Sequence, residues 1–403
     1  MASLVIIIAC LFNVAAAASA REQSPSRPVG LKVQRQDSPR HLPTFDGIFL
    51  SLNEATAQWD AAHWATDLAA MSAVGMSFLV VPHMARQHGG PTATCPHGLF
   101  EVYFPFDATG SQLPVGCFTQ RGLDPSVHPG GTVIAMLAAA NTTGLGCHLG
   151  LVLQTDPDPR WSNQSGVKSY AWLQWQLAQH LWQVATAAGY SHVVRGFYTE
   201  LEESNSAQWL SAMPVFAEHY LGPLAHDIKA SLRPDLLVWA SPYAILNRTR
   251  YSVDDWMVPA AFGGLWEQTF AAWAPDLDLI ALQDSMGALA NSFADVRQLL
   301  GNVSAASAHQ GRSSWTNVEL FEVWPASCQW PDTCHGRHPA PFSRIKAQLE
   351  NEAPILMGPD PQIIAWEWTS CLSPTPNNGA KFPEANRANY EAYKAHFARV
   401  SRR

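Results

Sequence analysis

The sequence predicts a single (β/α)8 TIM barrel, an α/β fold, with long loops after its second and seventh strands. Three observations carry this. From residue 44 to the C-terminus, short apolar runs alternate with amphipathic stretches, eight of each. Strict alternation argues for a parallel sheet, and eight repeats argue for a closed one. The chain also lacks the glycine-rich fingerprint that an open doubly wound sheet carries after its first strand. The nearest stretch, Gly144-Leu-Gly146-Cys-His-Leu-Gly150, has the wrong spacing and precedes a strand.

The elements follow in order. Phe45–Leu52 is strand-like, Trp59–Val74 has helical spacing, and Met76–Pro82 is a second apolar strand bounded by proline. Residues 83 to 130, rich in Gly, Pro, His and Thr, break the rhythm and suggest a hairpin around Glu101–Phe106. Helix Thr132–Ala140 and strand His148–Gln154 resume it. Then come helix Ser169–Ala188, strand Val193–Glu202, helix Ala207–Ser231 and strand Leu236–Pro242. Helix Val253–Trp273, strand Leu279–Gln283, helix Gly287–Leu300 and strand Ser314–Phe321 precede a second excursion over residues 323 to 340. Helix Pro341–Asn351, strand Gln362–Trp368 and helix Glu384–Val400 close the chain.

Residues 1–20 read as a signal peptide: an apolar core too short to span a bilayer comfortably, then Ala18-Ser19-Ala20 with the small-x-small form of a cleavage site. Residues 21–43, rich in Ser, Pro, Arg and Gln without apolar period, read as a disordered leader, and residues 44–403 as the barrel domain. No later segment is long and apolar enough to span a membrane, so a soluble, secreted or secretory-lumen protein is expected. Of seven cysteines, Cys10 falls in the signal and the other six could all pair. Six cysteines allow 15 connectivities. The sequence neighbours Cys95 with Cys117, and Cys328 with Cys334, would staple two loops. Asn-x-Ser/Thr acceptors occur at Asn141, Asn163, Asn247 and Asn302. The net charge of −8 argues against nucleic acid, which needs a basic surface. Oligomeric state is not legible.

Two β-type runs end in carboxylates, Val193-Val-Arg-Gly-Phe-Tyr-Thr-Glu-Leu-Glu202 and Ser313-Ser-Trp-Thr-Asn-Val-Glu-Leu-Phe-Glu322. Catalytic groups of a barrel collect at the C-terminal ends of its strands. Residues two apart share a strand face, so Tyr198, Glu200 and Glu202 point one way. Trp315, Asn317 and Glu319 likewise share a face, opposite apolar Val318 and Leu320. The apolar face meets the helices, leaving Asn317 and Glu319 inward. Two such glutamates are the minimum equipment for cleaving a glycosidic bond: one carboxyl protonated to donate, the other ionised to attack or to activate water. Glu202 and Glu319 are therefore the candidate catalytic pair. The bland alternative is loop salt bridges, the more natural expectation for Glu200, Glu203 and Glu322, although Glu200 or Glu322 could replace an assigned catalytic residue.

Tyr198, Glu200, Tyr243, Gln283, Asp284 and Asn317 could contact sugar hydroxyls, and Trp239, Trp315, Trp366 and Trp368 could floor a subsite, with barrel core as the competing role for the tryptophans. Sixteen tryptophans fit either use. Glu367, between Trp366 and Trp368, would face the helices if both faced inward. His83, His88 and His97 match no standard metal spacing and have no obvious carboxylate partner, so no metal or cofactor is expected. No Gly-x-Ser-x-Gly elbow or phosphate loop is present, which removes esterase and kinase chemistry.

Four stretches in order, Gly196-Phe-Tyr-Thr-Glu-Leu-Glu202, Ala240-Ser-Pro-Tyr243, Leu282-Gln-Asp-Ser-Met-Gly287 and Trp315-Thr-Asn-Val-Glu-Leu-Phe-Glu322, resemble the signatures of a mostly bacterial family, domain of unknown function 4434, a glycosidase-like barrel. Phe45-Asp-Gly-Ile-Phe-Leu and Gly75-Met-Ser-Phe-Leu-Val-Val extend the resemblance to strands one and two. The family pattern carries one glutamate at the strand-four end, matching Glu202, and a Trp-x-Asn-x-Glu motif holding Glu319. Thr199-Glu200 departs from the more apolar pair expected there. Many glycosidase barrels place the acid/base at the end of strand four and the nucleophile at the end of strand seven. The resemblance thus implies Glu202 as acid/base and Glu319 as nucleophile of a retaining hydrolase acting on carbohydrate. The alternatives are a catalytically silent carbohydrate-binding barrel and an enzyme of other chemistry on the same fold.

Overall fold

A computed structural model describes residues 42–402 apart from 91, 96, 106–114, 125–129, 154–163, 201, 248–255, 325–335 and 376–379. Eight parallel strands close into a barrel: β1 Gly47–Phe49, β2 Phe78–Val81, β3 Gly146–Gly150, β4 Val194–Thr199, β5 Leu237–Ala240, β6 Leu279–Gln283, β7 Ser313–Glu319 and β8 Gln362–Trp366. Each pairs with its sequence neighbours, and β8 returns to β1. The outer layer is α1 Ala61–Ser72, α2 Gly131–Thr143, α3 Gln164–Ala187, α4 Ala207–Phe216, α5 Pro259–Gln268, α6 Phe293–His309, α7 Phe342–Glu352 and α8 Pro383–Val400. A π-helical turn, Ala217–Leu221, carries α4 on into Gly222–Ser231, and another, Thr269–Trp273, extends α5. The expected barrel and the order of its elements stand.

Side-chain alternation sorts the two layers. Leu279 and Ala281 of β6 point into the barrel, whereas Ile280 and Leu282 join Ile48, Phe197, Val238, Val318 and Ile363 in the core beneath the helices. The barrel interior is packed with rings. Tyr198 and Trp239 lie 4.6 Å apart, Trp239 and Trp315 5.4 Å, and Phe78 and Trp315 5.4 Å. Each such pair contributes about 0.5–1.5 kcal/mol beyond its buried area. The indole N–H of Trp239 donates to His148 Nδ1 at 3.0 Å, and burial pushes the His148 imidazole down to about 3, so it stays neutral and accepts.

Two helices start later than their apolar period suggests. Residues 287–291 are loop, and α6 begins at Phe293 because Ser292 and Asp295 form a reciprocal capping box. The α5 helix begins at Pro259, whose missing N–H suits the first turn. After β2 the hairpin pairs Ala85–Gly89 with Leu99–Val102, earlier than Glu101–Phe106, and these join Phe118–Gln120 and Val152–Leu153 in a four-stranded sheet. Cys95 bonds Cys117 across the base of this excursion. Cys147 on β3 and Cys371 after β8 are buried free thiols, so full pairing of the six does not occur. Cys328, Cys334 and Asn163 lie outside the described residues. Among those described, no helix is long and apolar enough to cross a membrane.

Close packing of β3 against the β2 terminus requires a residue without a side chain at Gly150, where a Cβ would lie 1.8 Å from the Pro82 carbonyl oxygen. A Gly150→Ala variant must displace backbone, not a flexible side chain. The expected destabilisation is about 3 kcal/mol or more, at the top of the range for overpacking, checked by the midpoint of urea unfolding.

Candidate active site

The C-terminal ends of β4, β6, β7 and β8 meet around one cavity. Register puts Gln283 beside Asn317 and Glu319 beside Trp366. The chain leaves β4 at Thr199 and brings Glu202 over the same opening. The cavity, about 350 Å³, is lined by Glu202, Tyr243, Gln283, Glu319, Arg337 and Trp366, with Trp256, Phe321 and smaller residues completing the wall.

Its electrostatics are dominated by dehydrated carboxyls. Glu319 is 7% exposed, and its Oε2 accepts the Ala288 N–H at 3.0 Å. Burial first, then the neighbouring Asp284 charge, push it up to about 7, against the Ala288 N–H and the guanidiniums of Arg337 and Arg344. Glu202 is the more solvent-accessible of the two, yet the protein crowded around its carboxyl also raises its pKa. The Gln283 amide, donating to Glu202 Oε1 at 3.1 Å, and Arg337 oppose that shift. The same amide donates to the Ser241 carbonyl at 2.8 Å, which fixes its orientation.

Behind Glu319, on the helix side of the sheet, sits a second acidic pair. Asp284 Oδ1 accepts the N–H groups of Met286 at 3.1 Å and Glu319 at 3.2 Å, and Oδ2 accepts from the Gln348 amide. Glu352, fully buried, accepts the Thr316 hydroxyl at 2.5 Å. Burial and then the Asp284 charge hold the Glu352 carboxyl well above the usual range. Burial raises Asp284 as well, but its N–H donors and Arg344 oppose this. Arg344 also donates to the carbonyls of Glu319 at 3.0 Å and Phe321 at 2.6 Å, clamping the β7 terminus.

The family model described as Domain of unknown function (DUF4434) matches residues 45–379. The chain belongs to that family. None of the curated proteins matches this chain. Among solved structures, a candidate α-L-fucosidase from Bacteroides thetaiotaomicron is similar over 93% of this chain and 99% of its own, with a TM-score of 0.63 and 17% identity. An endo-1,4-β-mannanase from Rhizomucor miehei aligns over 88% of this chain and 95% of its own, with a TM-score of 0.46 and 10% identity. The first similarity agrees with the closed barrel of this DUF4434 protein.

Of the residues singled out from sequence, Glu202, Glu319, Tyr243, Gln283 and Trp366 converge on the cavity. Tyr198 and Asn317 do point inward but sit below it, both against Ser241; the Asn317 amide donates to Ser241 Oγ at 3.1 Å. Trp239 and Trp315 belong to the ring plug of the barrel and floor no subsite. Asp284 points away from the cavity because it lies one residue past inward-facing Gln283. Trp368 is fully buried on the helix side, its indole N–H donating to Asp67 at 2.6 Å. The β8 alternation stops at Trp366, since Glu367 caps the short helix Trp368–Cys371 by accepting from Thr369 and Ser370. Glu200 turns to the opposite rim, where Oε1 meets His83 Nδ1 at 3.1 Å. His83 therefore has a carboxylate partner that its sequence neighbourhood does not reveal. Glu322 is tied to Arg344 Nε at 3.3 Å. Arg337 is the cavity-lining residue that sequence reasoning missed, a cation on the short strand Gly336–Pro339 inside an excursion with no apolar period to mark it.

Glu203 departs from the salt-bridge expectation. It is 1% exposed, and neither carboxyl oxygen finds a side-chain partner among the described residues. Burial pushes it up to about 8. Its folded pKa exceeds the unfolded one, so the native state binds the extra proton. Its contribution is complete below pH 4 and is lost as pH rises through 8. Glu203→Gln, neutral at every pH, is expected to raise the melting temperature at pH 9 relative to the parent, with a smaller gain at pH 5. Asp284→Asn removes the charge beside Glu319. Glu319 is expected to titrate at lower pH, seen in ¹³C carboxyl NMR by difference from Glu319→Gln.

Proposed function

We propose that this barrel is a retaining glycoside hydrolase of the secretory pathway, acting on an oligosaccharide, polysaccharide or glycoconjugate. The observation that carries the proposal is the convergence of Glu202 and Glu319, from the ends of β4 and β7, on one cavity with a tryptophan wall and hydroxyl-binding groups. Two carboxyls flanking a sugar-sized space match the requirement for glycosidic cleavage.

In the first step, a Glu319 carboxylate oxygen attacks the anomeric carbon as the glycosidic C–O bond breaks, and Glu202 gives its proton to the leaving oxygen. In the second, Glu202 takes a proton from water, the water oxygen bonds the anomeric carbon, and Glu319 is released as carboxylate. Trp366 offers an aromatic face to the ring, and Tyr243 and Gln283 offer hydrogen bonds to its hydroxyls. The glycosidic C–O bond is exchanged for a C–O bond to water without electron transfer, so the route requires no cofactor. The disulfide Cys95–Cys117 is consistent with an oxidising compartment.

Glu202→Gln and Glu319→Gln should each lower kcat by several orders of magnitude while binding and melting temperature hold. A fall in binding and melting temperature along with turnover would instead make the glutamates structural. Retained binding by a parent protein with no turnover would favour the silent barrel. The first product anomer, read by NMR, should match the substrate; inversion would assign water, not Glu319, as the attacking group. The productive form needs Glu202 protonated and Glu319 ionised. Activity should therefore be bell-shaped, with one limb near 7 from Glu319 and another above the usual glutamate value from Glu202.

A further inference from the structure

Beside the cavity, and sharing Arg337 with it, lies an open groove of about 410 Å³ lined by Trp324, Gly336, Arg337, His338, Lys381 and Phe382. It is built on the antiparallel pair Phe321–Trp324 and Gly336–Pro339, which continues directly from the β7 terminus bearing Glu319. Trp324 is 55% exposed, the one tryptophan among the strongly exposed large apolar residues described. Its cross-strand neighbour is Gly336, at φ 146, a conformation that side chains rarely adopt. Gly336 itself therefore places no side chain beside the indole.

Among the described residues that line the groove, the ionisable groups are all nitrogen bases and none is a carboxylate. This runs against a chain whose net charge is −8. Lys381 is exposed, makes no ion pair among the described residues, and holds its Nζ 5.7 Å from the Phe382 ring. The guanidinium of Arg337 lies 4.2 Å over the Phe321 ring, which steers it along the wall common to cavity and groove. The acid on the described part of the hairpin, Glu322, is engaged by Arg344 at 3.3 Å and stands 4.0 Å from His338 Nε2. An exposed aromatic face accommodates a sugar ring, and clustered cations concentrate anions before contact. Neutral glycans would use only the first of these features.

We propose that this groove is a subsite for a sugar carrying a carboxylate or sulfate group, adjoining the residue held in the cavity. On the hydrolase reading, on which this part rests, the substrate is an anionic oligosaccharide whose charged unit lies over Trp324 and Lys381.

The test measures affinity of the full-length Glu202→Gln protein by calorimetry for two matched pairs. These are oligogalacturonate against its methyl ester, and dextran sulfate against dextran. At least one charged member should bind about tenfold more tightly than its neutral counterpart, as one charge-assisted contact would give. The pair that responds identifies carboxylate or sulfate. Lys381→Glu should remove the preference, Trp324→Ala should weaken the charged ligand about tenfold, and Lys168→Glu, an equal charge change elsewhere, should do neither. Equal affinity within both pairs, or a preference that Lys381→Glu leaves intact, overturns the subsite. Parallel turnover assays on the parent protein separate the two ideas. Charged sugars bound through Lys381 but never cleaved would leave the groove standing without the hydrolase. Neutral glycans cleaved with no anionic preference would do the reverse.

Discussion

The arrangement at the barrel mouth depends on one interaction, the acceptance of the Glu319 backbone N–H by the Asp284 carboxylate. That bond ties the end of β7 to the end of β6, and it does so from the helix side of the sheet. Asp284 is supported there by the Gln348 amide and the Met286 N–H, while burial and the Asp284 charge hold the neighbouring Glu352 carboxyl well above the usual range. A carboxylate left buried without such donors would cost several kcal/mol and would neutralise instead. The same charge reaches through to Glu319 and makes its carboxyl harder to ionise. Asp284 thus contributes to both the positioning and the raised pKa of Glu319, with burial the larger cause of the latter.

The mouth is also where the fold tolerates dehydrated acids. Glu200, Glu203 and Glu319 all have raised pKa values, with burial the largest cause in each. They differ in what opposes burial. Glu200 has His83 on one oxygen, Glu319 has a backbone N–H and two guanidiniums nearby, and Glu203 has no side-chain partner described. Clustered perturbed carboxyls are expected of sites that move protons, and only Glu319, with Glu202, faces the cavity. Glu200 and Glu203 lie within three residues of Glu202 in sequence yet serve other surroundings, which is why strand parity alone could not choose among them.

Arg337 links the two halves of the mouth. Its charge lowers the pKa of both cavity glutamates, while its position on the hairpin after β7 makes it a wall of the adjoining groove. A strand extension that carries the β7 chain past Glu319 and back therefore supplies a cation that the barrel proper does not. The ring plug below, with Tyr198, Trp239 and Trp315 filling the interior, closes the barrel from beneath and confines chemistry to this upper rim.

The sequence by itself determined the barrel, because alternation of apolar runs and amphipathic helices is a local pattern, repeated eight times without interruption of order. It also placed Glu319 inward, since the period of two through Trp315, Asn317 and Glu319 continues unbroken to the strand end. Where the period stops, sequence reasoning failed for a physical reason. Trp368 was misplaced because Glu367 caps a helix turn and ends the strand pattern. Asp284 was misplaced because one residue past Gln283 reverses the face, and the helix α6 start was missed because a capping box outweighs apolar spacing. Tertiary structure alone decided that Trp239 and Trp315 fill the core, that His83 meets Glu200 across 117 residues, and that Arg337 joins the two glutamates. Those contacts link segments distant in the chain, and no local spacing encodes the closure that brings them together.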